Sequence, residues 1–249
     1  MKKIVIVGAT SRIAHMTSRL WANDVNCSEI VLIGRNPDKL NIVRDDLQSR
    51  NKNIVCKFIS IDFSSPNEIK ECVEQTCKTK IPDIVLIAQG SSLPNNESLR
   101  NNLVQLDESI RLNFSSVVLF TEAFATQLEK AGVGHLAVIG SVAGDRGRNS
   151  NYIYGASKSA IETYLQGLRH HFAINNKAVS VSLIKPGPTV SPLTLDLPQN
   201  KLAKAEDVAK IIVKGVSKGQ KIIYAPAKWR LIMTLIRLLP DFVFNHLKI

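Results

Sequence analysis

A tyrosine and a lysine lie four residues apart in the second half of the chain, as Tyr154 and Lys158 of the stretch Tyr-Gly-Ala-Ser-Lys. Residues at this spacing lie on one face of an α-helix. A lysine ammonium close to a phenol favours the phenolate and lowers the pKa of the tyrosine. The pair therefore predicts a general acid toward a carbonyl oxygen, or a general base toward an alcohol, at Tyr154.

Two other polar residues could complete this site. Ser141 follows the apolar run 136–139 and could donate a hydrogen bond to the same oxygen. Asn113, within Arg-Leu-Asn-Phe, could hold a water that connects Lys158 to solvent and reprotonates Tyr154. Hydride transfer is the chemistry of a cofactor, so such a site has to align a nicotinamide, a carbonyl and a proton donor.

The N-terminus carries a candidate dinucleotide site. An apolar run at 4–7 leads directly into Gly8 and then into a helical pattern. Glycine allows a positive φ and a close backbone approach, and the N-terminus of the helix that follows suits a pyrophosphate. The spacing is neither Gly-x-Gly-x-x-Gly nor a Walker loop, so an ordinary strand-to-helix turn is equally compatible. The residues that would contact the phosphates are Gly8, Thr10, Ser11, Arg12 and Ile13; for Arg12, a role at the surface is the alternative.

Arg35 follows the second apolar run, in Leu-Ile-Gly-Arg, where a dinucleotide-binding fold meets the adenosine ribose. An acidic residue there accepts hydrogen bonds from the 2′-hydroxyl, whereas an arginine pairs with a 2′-phosphate. We therefore expect NADPH, as NADP⁺ when oxidised, in preference to NADH. A solvated arginine at the end of the strand is the alternative.

Six short runs rich in β-branched residues are separated by amphipathic segments of helical length. Several runs are apolar on both faces, as expected for central strands of a parallel sheet that is covered by helices on either side. The sequence thus predicts an α/β fold: a single-domain, Rossmann-type, doubly wound parallel sheet over residues 1–225, followed by an amphipathic tail over 226–249. The predicted strands are 3–7, 30–33, 54–59, 84–87, 136–139 and 179–184.

Composition narrows the class of protein. The 249 residues are 45% hydrophobic and 21% charged, which excludes a disordered chain, and the net charge of +11 is spread along the whole sequence. Without a basic block we expect no dedicated nucleic-acid site, although an anionic ligand or an anionic membrane surface would suit this charge.

The four cysteines form no metal-binding or disulfide pattern, so no metal is expected. The apolar run at 4–7 is too short for a signal peptide, so we expect a cytoplasmic location.

These residues together resemble the short-chain dehydrogenase/reductase family over residues 1–225. The resemblance implies the tetrad Asn113, Ser141, Tyr154 and Lys158, with Lys158 also binding the nicotinamide ribose. It also implies a homo-oligomer, a dimer or tetramer. Further cofactor contacts implied by the resemblance are Asp62 and Phe63 at the adenine, Ala88 and Gly90 within Ala-Gln-Gly, Pro186 and Gly187 after the sixth strand, and Ser191 at the carboxamide.

The glycine turn departs from the family pattern, because Arg12 and Ala14 replace its second and third glycines. Side chains there crowd the phosphates, although Ala14 can still permit close packing of helix and strand. We expect altered rather than abolished cofactor binding. A non-catalytic NADPH-binding sensor or scaffold is the alternative.

The C-terminal segment 226–249 has a different character. Eight of the eleven residues from Trp229 to Leu239 are apolar, and Arg230, Thr234 and Arg237 form one polar stripe on a helix. With the basic residue Lys248 nearby, this pattern resembles an interfacial helix in the headgroup plane of a membrane. Packing against the domain or against a second copy is the alternative.

Within the family, the turn Gly-Ala-Thr-Ser-x-Ile-Ala and the tryptophan-containing tail are most similar to the reductases of polyprenyl-phosphate-linked 2-keto-pentoses, as are the stretches at 86–90 and 185–188. This similarity implies a lipid-linked keto-sugar as substrate, a partner flavin oxidase that forms the ketone, and a peripheral position at the inner face of the membrane. A reductase of 3-ketoacyl or other soluble apolar ketones is the alternative.

Overall fold

The computed structural model describes residues 1–91, 96–194 and 198–247. Seven strands form one parallel sheet in the order β3-β2-β1-β4-β5-β6-β7. The strands are β1 (Lys2–Val7), β2 (Cys27–Gly34), β3 (Val55–Ser60), β4 (Ile84–Ile87), β5 (Val133–Ile139), β6 (Ala178–Pro186) and β7 (Ile222–Ala225). The helices are α1 (Arg12–Ala22), α2 (Pro37–Arg50), α3 (Pro66–Cys77), α4 (Asn96–Arg100), α5 (Leu103–Ile110), α6 (Ser116–Ala131), α7 (Tyr152–Ile174), α8 (Ala205–Ser217), α9 (Lys228–Leu238) and α10 (Asp241–Phe244).

Apolar residues on both faces of the strands create two cores, one on each side of the sheet. On one side, β1 and β4 contribute Val5 and Val85 to a core that includes Phe120 of α6 and Leu165 of α7. On the other side, Ile4 and its neighbours pack under α1, α2 and α8. Helices thus cover both faces, which confirms the predicted doubly wound α/β fold.

The chain changes direction within the sheet between β1 and β4, because β2 and β3 extend to one side of β1 and the later strands to the other. In open α/β sheets, ligands bind in the crevice at the carboxyl ends of the strands at such a switch point. Gly8, after β1, and Ala88, after β4, lie side by side at this point.

All six predicted strands are present, most of them longer than predicted. The sequence analysis missed β7, because this strand has only four residues and just two of them, Ile223 and Ala225, are buried. It is an edge strand, paired only with β6, and so it lacks the long apolar run of the central strands.

The C-terminal segment folds back on the domain through α9 and α10. Met233 of α9 is buried, and the indole of Trp229 covers Gly187 so closely that a Cβ atom there would lie 1.9 Å from its Nε1. The opposite face of α9 presents Leu231, Leu235 and Leu238, whose surfaces are 67%, 58% and 74% exposed. We call these three leucines the α9 ridge. One face of α9 therefore packs on the domain, which was the alternative to an interfacial membrane helix. The other face of α9 is apolar and uncovered.

Arg146 fastens this segment to the rest of the molecule. Its guanidinium donates to the backbone oxygens of Ile236 and Leu239 at 2.7 and 2.5 Å, where α9 ends. It also pairs with Asp241 at 2.7 Å and lies 3.9 Å from the ring centroid of Phe244. Within the described residues, no helix is long and apolar enough to cross a membrane. Lys248, part of the predicted basic tail, lies outside them.

Candidate active site

One cavity of about 590 Å³ opens at the carboxyl ends of the parallel strands. Nearly every residue predicted from the sequence borders it, and many of them lie close to the end of a strand or the beginning of a helix. The predicted residues that line it are Gly8, Thr10, Ser11, Arg12, Ile13, Arg35, Phe63, Ala88, Gly90, Asn113, Ser141, Tyr154, Lys158, Pro186, Gly187 and Ser191.

Tyr154 and Lys158 lie one turn apart in α7, and the Lys158 Nζ atom is 5.5 Å from the centroid of the Tyr154 ring. Burial lowers the pKa of Lys158 to about 8. Burial also raises the pKa of Tyr154, and a hydrogen bond with Ser141 lowers it only in part. The pKa of Tyr154 in this structure is therefore raised, opposite to the predicted lowering, because burial deprives the phenolate of its hydration.

Ser141 lies two residues beyond the end of β5. Its Oγ accepts a hydrogen bond from the Ala143 N–H at 3.1 Å and begins a short 3₁₀ turn, Val142–Gly144. This turn packs directly on α7. A Cβ atom on Gly144 would lie 2.8 Å from the Lys158 carbonyl carbon, and one on Gly155 would lie 2.8 Å from the Ala143 oxygen. The close packing fixes the position of Ser141 relative to Tyr154.

Asn113 is fully buried in a π-helical turn, Arg111–Ser115, that joins α5 to α6. Its Oδ1 accepts from the Ser91 N–H at 3.2 Å, and its Nδ2 donates to the Ser109 oxygen at 3.1 Å. A Cβ atom on Gly90 would lie 3.1 Å from Asn113 Oδ1 and 3.5 Å from Lys158 Nζ. The bare backbone of Gly90 thus lies beside both side chains, and the cavity brings all four members of the predicted tetrad together. π-helical turns of this kind occur frequently at functional sites.

The other end of the cavity is formed by the turn after β1. Gly8 has a φ of 73°, and a Cβ atom there would lie 2.4 Å from the Gln89 nitrogen, so only glycine fits. Ser11 precedes α1 without a capping hydrogen bond from its side chain, and the first turn of the helix contains no acidic residue. This bare, electropositive helix end fits a pyrophosphate. Arg12 borders the cavity but pairs with Glu206 of α8 at 2.8 Å.

Arg35 borders the cavity where β2 ends, with its guanidinium carbon 5.9 Å from the centroid of the Phe63 ring. Within the described part of the chain, no carboxylate forms an ion pair with it. Lys39 of α2, which the sequence analysis did not single out, adds a second cation to this wall. The two cations fit a phosphate on the adenosine ribose.

Asp62 does not line the large cavity, in contrast to its neighbour Phe63. It is exposed beside a smaller adjoining pocket. Hydrogen bonds from the Ser64 hydroxyl and N–H, at 2.5 and 3.0 Å, hold its carboxylate and lower its pKa. In this structure, an adenine contact of Asp62 would have to come from the rim of the adjoining pocket.

The sequence analysis missed three residues that present buried polar atoms at this cavity. Gln89 Oε1, Arg148 Nε and Asn151 Oδ1 make no hydrogen bond to any residue that the structure describes. Gln89 was noted only as part of Ala-Gln-Gly. Arg148 and Asn151 lie in a loop, where no periodicity could have drawn attention to them.

A buried ionic cluster lies directly behind the tetrad. Lys185, at the end of β6, pairs with Asp145, just after the Ser141 turn, and with Glu162 at 2.7 Å, one turn after Lys158. The Tyr224 hydroxyl donates to the second oxygen of Asp145 at 3.1 Å. The cluster therefore joins the loop that carries Ser141 to the helix that carries Tyr154.

Comparison with known proteins identifies the family. The model of the short chain dehydrogenase family matches residues 2–202. The chain belongs to this family, and it is an NAD(P)-dependent oxidoreductase.

The relatives cover nearly the whole chain. An uncharacterized oxidoreductase of Staphylococcus epidermidis is 28% identical over 228 residues, which are 89% of this chain and 93% of the relative. Another, of Streptomyces coelicolor, is 25% identical over 249 residues, 99% of this chain and 96% of the relative.

Solved structures share the fold. Levodione reductase superposes with a TM-score of 0.80 at 16% identity, over 92% of this chain and 98% of its own. A short-chain dehydrogenase from Sphingobium yanoikuyae in complex with NADPH superposes with a TM-score of 0.77 at 17% identity, over 97% of both chains.

Proposed function

We propose that the protein reduces a ketone to an alcohol with NADPH, and that Tyr154 donates the proton. The observation that carries this proposal is that one cavity is shared by both sets of residues: Ser141, Tyr154 and Lys158 line it, and so do the Gly8 turn and Arg35. A dinucleotide and a small carbonyl compound would share this space.

Different residues at the dinucleotide end would bind different parts of NADPH. The Gly8 turn and the start of α1 would hold the pyrophosphate, and Arg35 with Lys39 the 2′-phosphate. Lys158 would bind the nicotinamide ribose, and Ser191 the carboxamide. When bound, NADPH supplies the hydride.

At the other end, Tyr154 and Ser141 act on the ketone oxygen. Because burial raises the pKa of Tyr154, its hydroxyl keeps its proton until the oxygen gains negative charge. Ser141 donates a second hydrogen bond to that oxygen. Lys158 carries its charge below a pH of about 8 and stabilises the phenolate that remains, while Asn113 orders a water that returns the proton.

As substrate we propose a keto-sugar linked to a lipid phosphate, formed by a flavin oxidase. The α9 ridge supports this proposal, because it is an uncovered apolar face on the same helix as the exposed cations Arg230 and Arg237. Such a helix suits the interfacial region of an anionic membrane, where a lipid-linked substrate would be found. In this proposal residues 226–249 form a membrane-facing tail on the domain 1–225.

Oxidation of NADPH in the presence of a panel of keto-sugars tests the activity. The Tyr154→Phe variant should lose at least about 10²-fold in kcat and still bind NADPH, because it lacks only the proton donor. Tyr152→Phe is the matched control, since Tyr152 is exposed and lies outside the cavity wall. Unchanged turnover in Tyr154→Phe would refute the proposed role.

The same assay with NADH in place of NADPH tests the cofactor. We expect the wild type to prefer NADPH and the Arg35→Ala variant to lose most of this preference. Equal KM values for the two cofactors in the wild type would contradict the assignment of Arg35 to the 2′-phosphate.

A further inference from the structure

The loop between the Ser141 turn and α7 brings a cation to the cavity that the roles above do not use. Arg148 lines the cavity, and its Nε atom is buried without a hydrogen-bond partner among the described residues. The loop is held in place beside it, because Asn96 of α4 donates to the Asn149 oxygen at 2.6 Å. The backbone next to Arg148 is therefore attached to α4 at the cavity wall.

The charge of Arg148 has no anionic partner within the chain as far as the structure describes it. Burial lowers the pKa of Arg148, and the charge of Asp145 raises it to a smaller extent. The two oxygens of Asp145 are already bonded to Lys185 and to the Tyr224 hydroxyl. A half-buried guanidinium without a partner is unfavourable, and a buried N–H without an acceptor is rare in folded proteins.

The neighbouring residues add to this polarity. Asn151 precedes α7, yet its side chain makes no capping hydrogen bond, so the first N–H groups of the helix lack that partner. The positive end of the helix dipole and the guanidinium therefore face the same cavity. Asn151 Oδ1 is in addition a buried acceptor without a donor among the described residues, which suits a hydroxyl group on a ligand.

This cation is not part of the predicted dinucleotide site. The cations and the helix end that would hold the phosphates of NADPH follow β1 and β2, whereas the Arg148 loop follows β5 and continues directly into Tyr154. Arg148 thus belongs to the same loop and helix start as the two groups that act on the ketone.

We propose that Arg148 binds an anionic group, a phosphate or a carboxylate, of a hydroxylated ketone, and that Asn151 accepts a hydrogen bond from one of its hydroxyl groups. The inference rests on the proposed function, since it names the class of substrate for the same site. Arg148 then determines specificity, because its buried guanidinium gains an anionic partner only when the ketone carries a negative charge.

The first test compares D-ribulose 5-phosphate with D-ribulose at saturating NADPH. Arg148→Met should reduce kcat/KM for the phosphate about 10- to 100-fold, the loss expected for a hydrogen bond to a charged group, and change the value for ribulose less than about threefold. Arg148→Lys should recover part of the loss. Arg50→Met, which removes an equal charge from α2, away from the cavity, is the control. Equal losses on both ketoses would overturn the proposal, because they would indicate a merely structural role.

Two further arms identify the source of the anion. An alkyl diester of ribulose 5-phosphate represents a lipid-linked phosphate, and a hydroxylated keto acid represents a carboxylate. The proposal is supported if Arg148→Met loses the preference in kcat/KM for any of the three anionic ketones over ribulose. The anionic ketone with the largest loss then identifies the kind of anion that the site binds. A wild type that does not prefer an anionic ketone over ribulose overturns it.

The second test needs no turnover and separates this inference from the proposed function. Inorganic phosphate should bind to the NADPH-saturated wild type and to Tyr154→Phe, and at least about tenfold more weakly to Arg148→Met. Equal phosphate binding by Arg148→Met refutes the anion site, as does weaker binding of NADPH itself by that variant. If the anion site is refuted in this way and the reduction of neutral ketones still depends on Tyr154, the proposed reductase activity remains supported.

Discussion

Removal of the cation in the cluster behind the tetrad should destabilise the protein strongly. The Lys185 side chain is 2% exposed, and its partners Asp145 and Glu162 are 0% and 15% exposed, so solvent screens their charges little. Lys185→Met leaves two buried carboxylates facing each other; Asp145 keeps its hydrogen bond from the Tyr224 hydroxyl, and Glu162 keeps the charge of Arg169 nearby. Breaking a buried pair in this way costs about 3–5 kcal/mol of the free energy of unfolding.

This loss is large enough to measure by thermal unfolding. For a domain of this size, 1 kcal/mol corresponds to about 2–4 °C, so the Tm of Lys185→Met should fall by about 6–20 °C. Lys210→Met removes a lysine from an exposed pair with Asp207, in which the two side chains are 67% and 58% exposed, and should change the Tm by no more than about 3 °C.

The pH dependence of this loss of stability follows from the direction in which folding shifts the pKa of Lys185. Burial lowers this pKa, but the hydrogen bonds and charges of Asp145 and Glu162 outweigh burial and raise it above its ordinary value of 10.5. A group whose pKa is raised by folding stabilises the fold fully below its unfolded value and loses that effect as the pH rises through the folded value. The difference in stability between the wild type and Lys185→Met should therefore persist at neutral pH and shrink in strongly alkaline solution, as Lys185 loses its charge.

A second variant separates the missing charge from poor packing. In Lys185→Met combined with Asp145→Asn and Glu162→Gln, no charge of the cluster itself remains unpaired, so we expect the triple variant to be more stable than the single one. A single variant that melts within about 2 °C of the wild type would refute the reasoning, because a drop this small corresponds to no more than about 1 kcal/mol. A triple variant less stable than the single one would refute the part that assigns the loss to unpaired carboxylates.

Two other properties can be checked directly. Since burial lowers the pKa of Lys158 to about 8, its ammonium is lost as the pH rises through that value, and kcat/KM for NADPH should fall there in the wild type. Lys158→Arg should show no decrease near pH 8, because a guanidinium stays charged; a flat wild-type profile between pH 7 and 9 would contradict the assignment. Replacement of the α9 ridge by glutamines should weaken co-sedimentation with phosphatidylglycerol vesicles at least about tenfold, since the buried apolar surface is lost. The same change at Leu103 and Val104, which are equally exposed on α5, should have no effect, and equal binding by the ridge variant would exclude the membrane role.

The features predicted correctly from the sequence are those that depend on neighbours along the chain. The apolar run before Gly8 predicts β1 and the turn, because a central strand is apolar on both faces and a tight turn needs a positive φ. The spacing of Tyr154 and Lys158 predicts one face of α7 in the same way. Such patterns repeat within a few residues, so that no knowledge of the rest of the chain is required.

The features that were missed or wrong depend on residues far apart in the sequence. Lys185 meets Asp145 across 40 residues, and neither residue stands out in its own segment. The Tyr154 pKa was predicted from its partner Lys158 alone, whereas in the structure burial by the surrounding loop and sheet dominates it. Distance along a helix can be read from sequence, but the extent of burial cannot.

The loop 141–151 links several tasks that the sequence gives no reason to connect. It carries Ser141 beside Tyr154, Asp145 in the buried cluster and Arg148 in the cavity wall, and its Arg146 holds the ends of α9 and α10. The part of the dinucleotide site that would hold the phosphates, in contrast, follows the ends of β1 and β2, which are paired within the sheet. A shift of the C-terminal segment would therefore be transmitted through Arg146 to the groups that bind and protonate the ketone, and through Trp229 to Gly187, a predicted cofactor contact, but it would leave the Gly8 turn and Arg35 unchanged. Changes that disturb only the contacts of Arg146 with this segment should for this reason alter kcat and the KM for the ketone before they alter the affinity for NADPH.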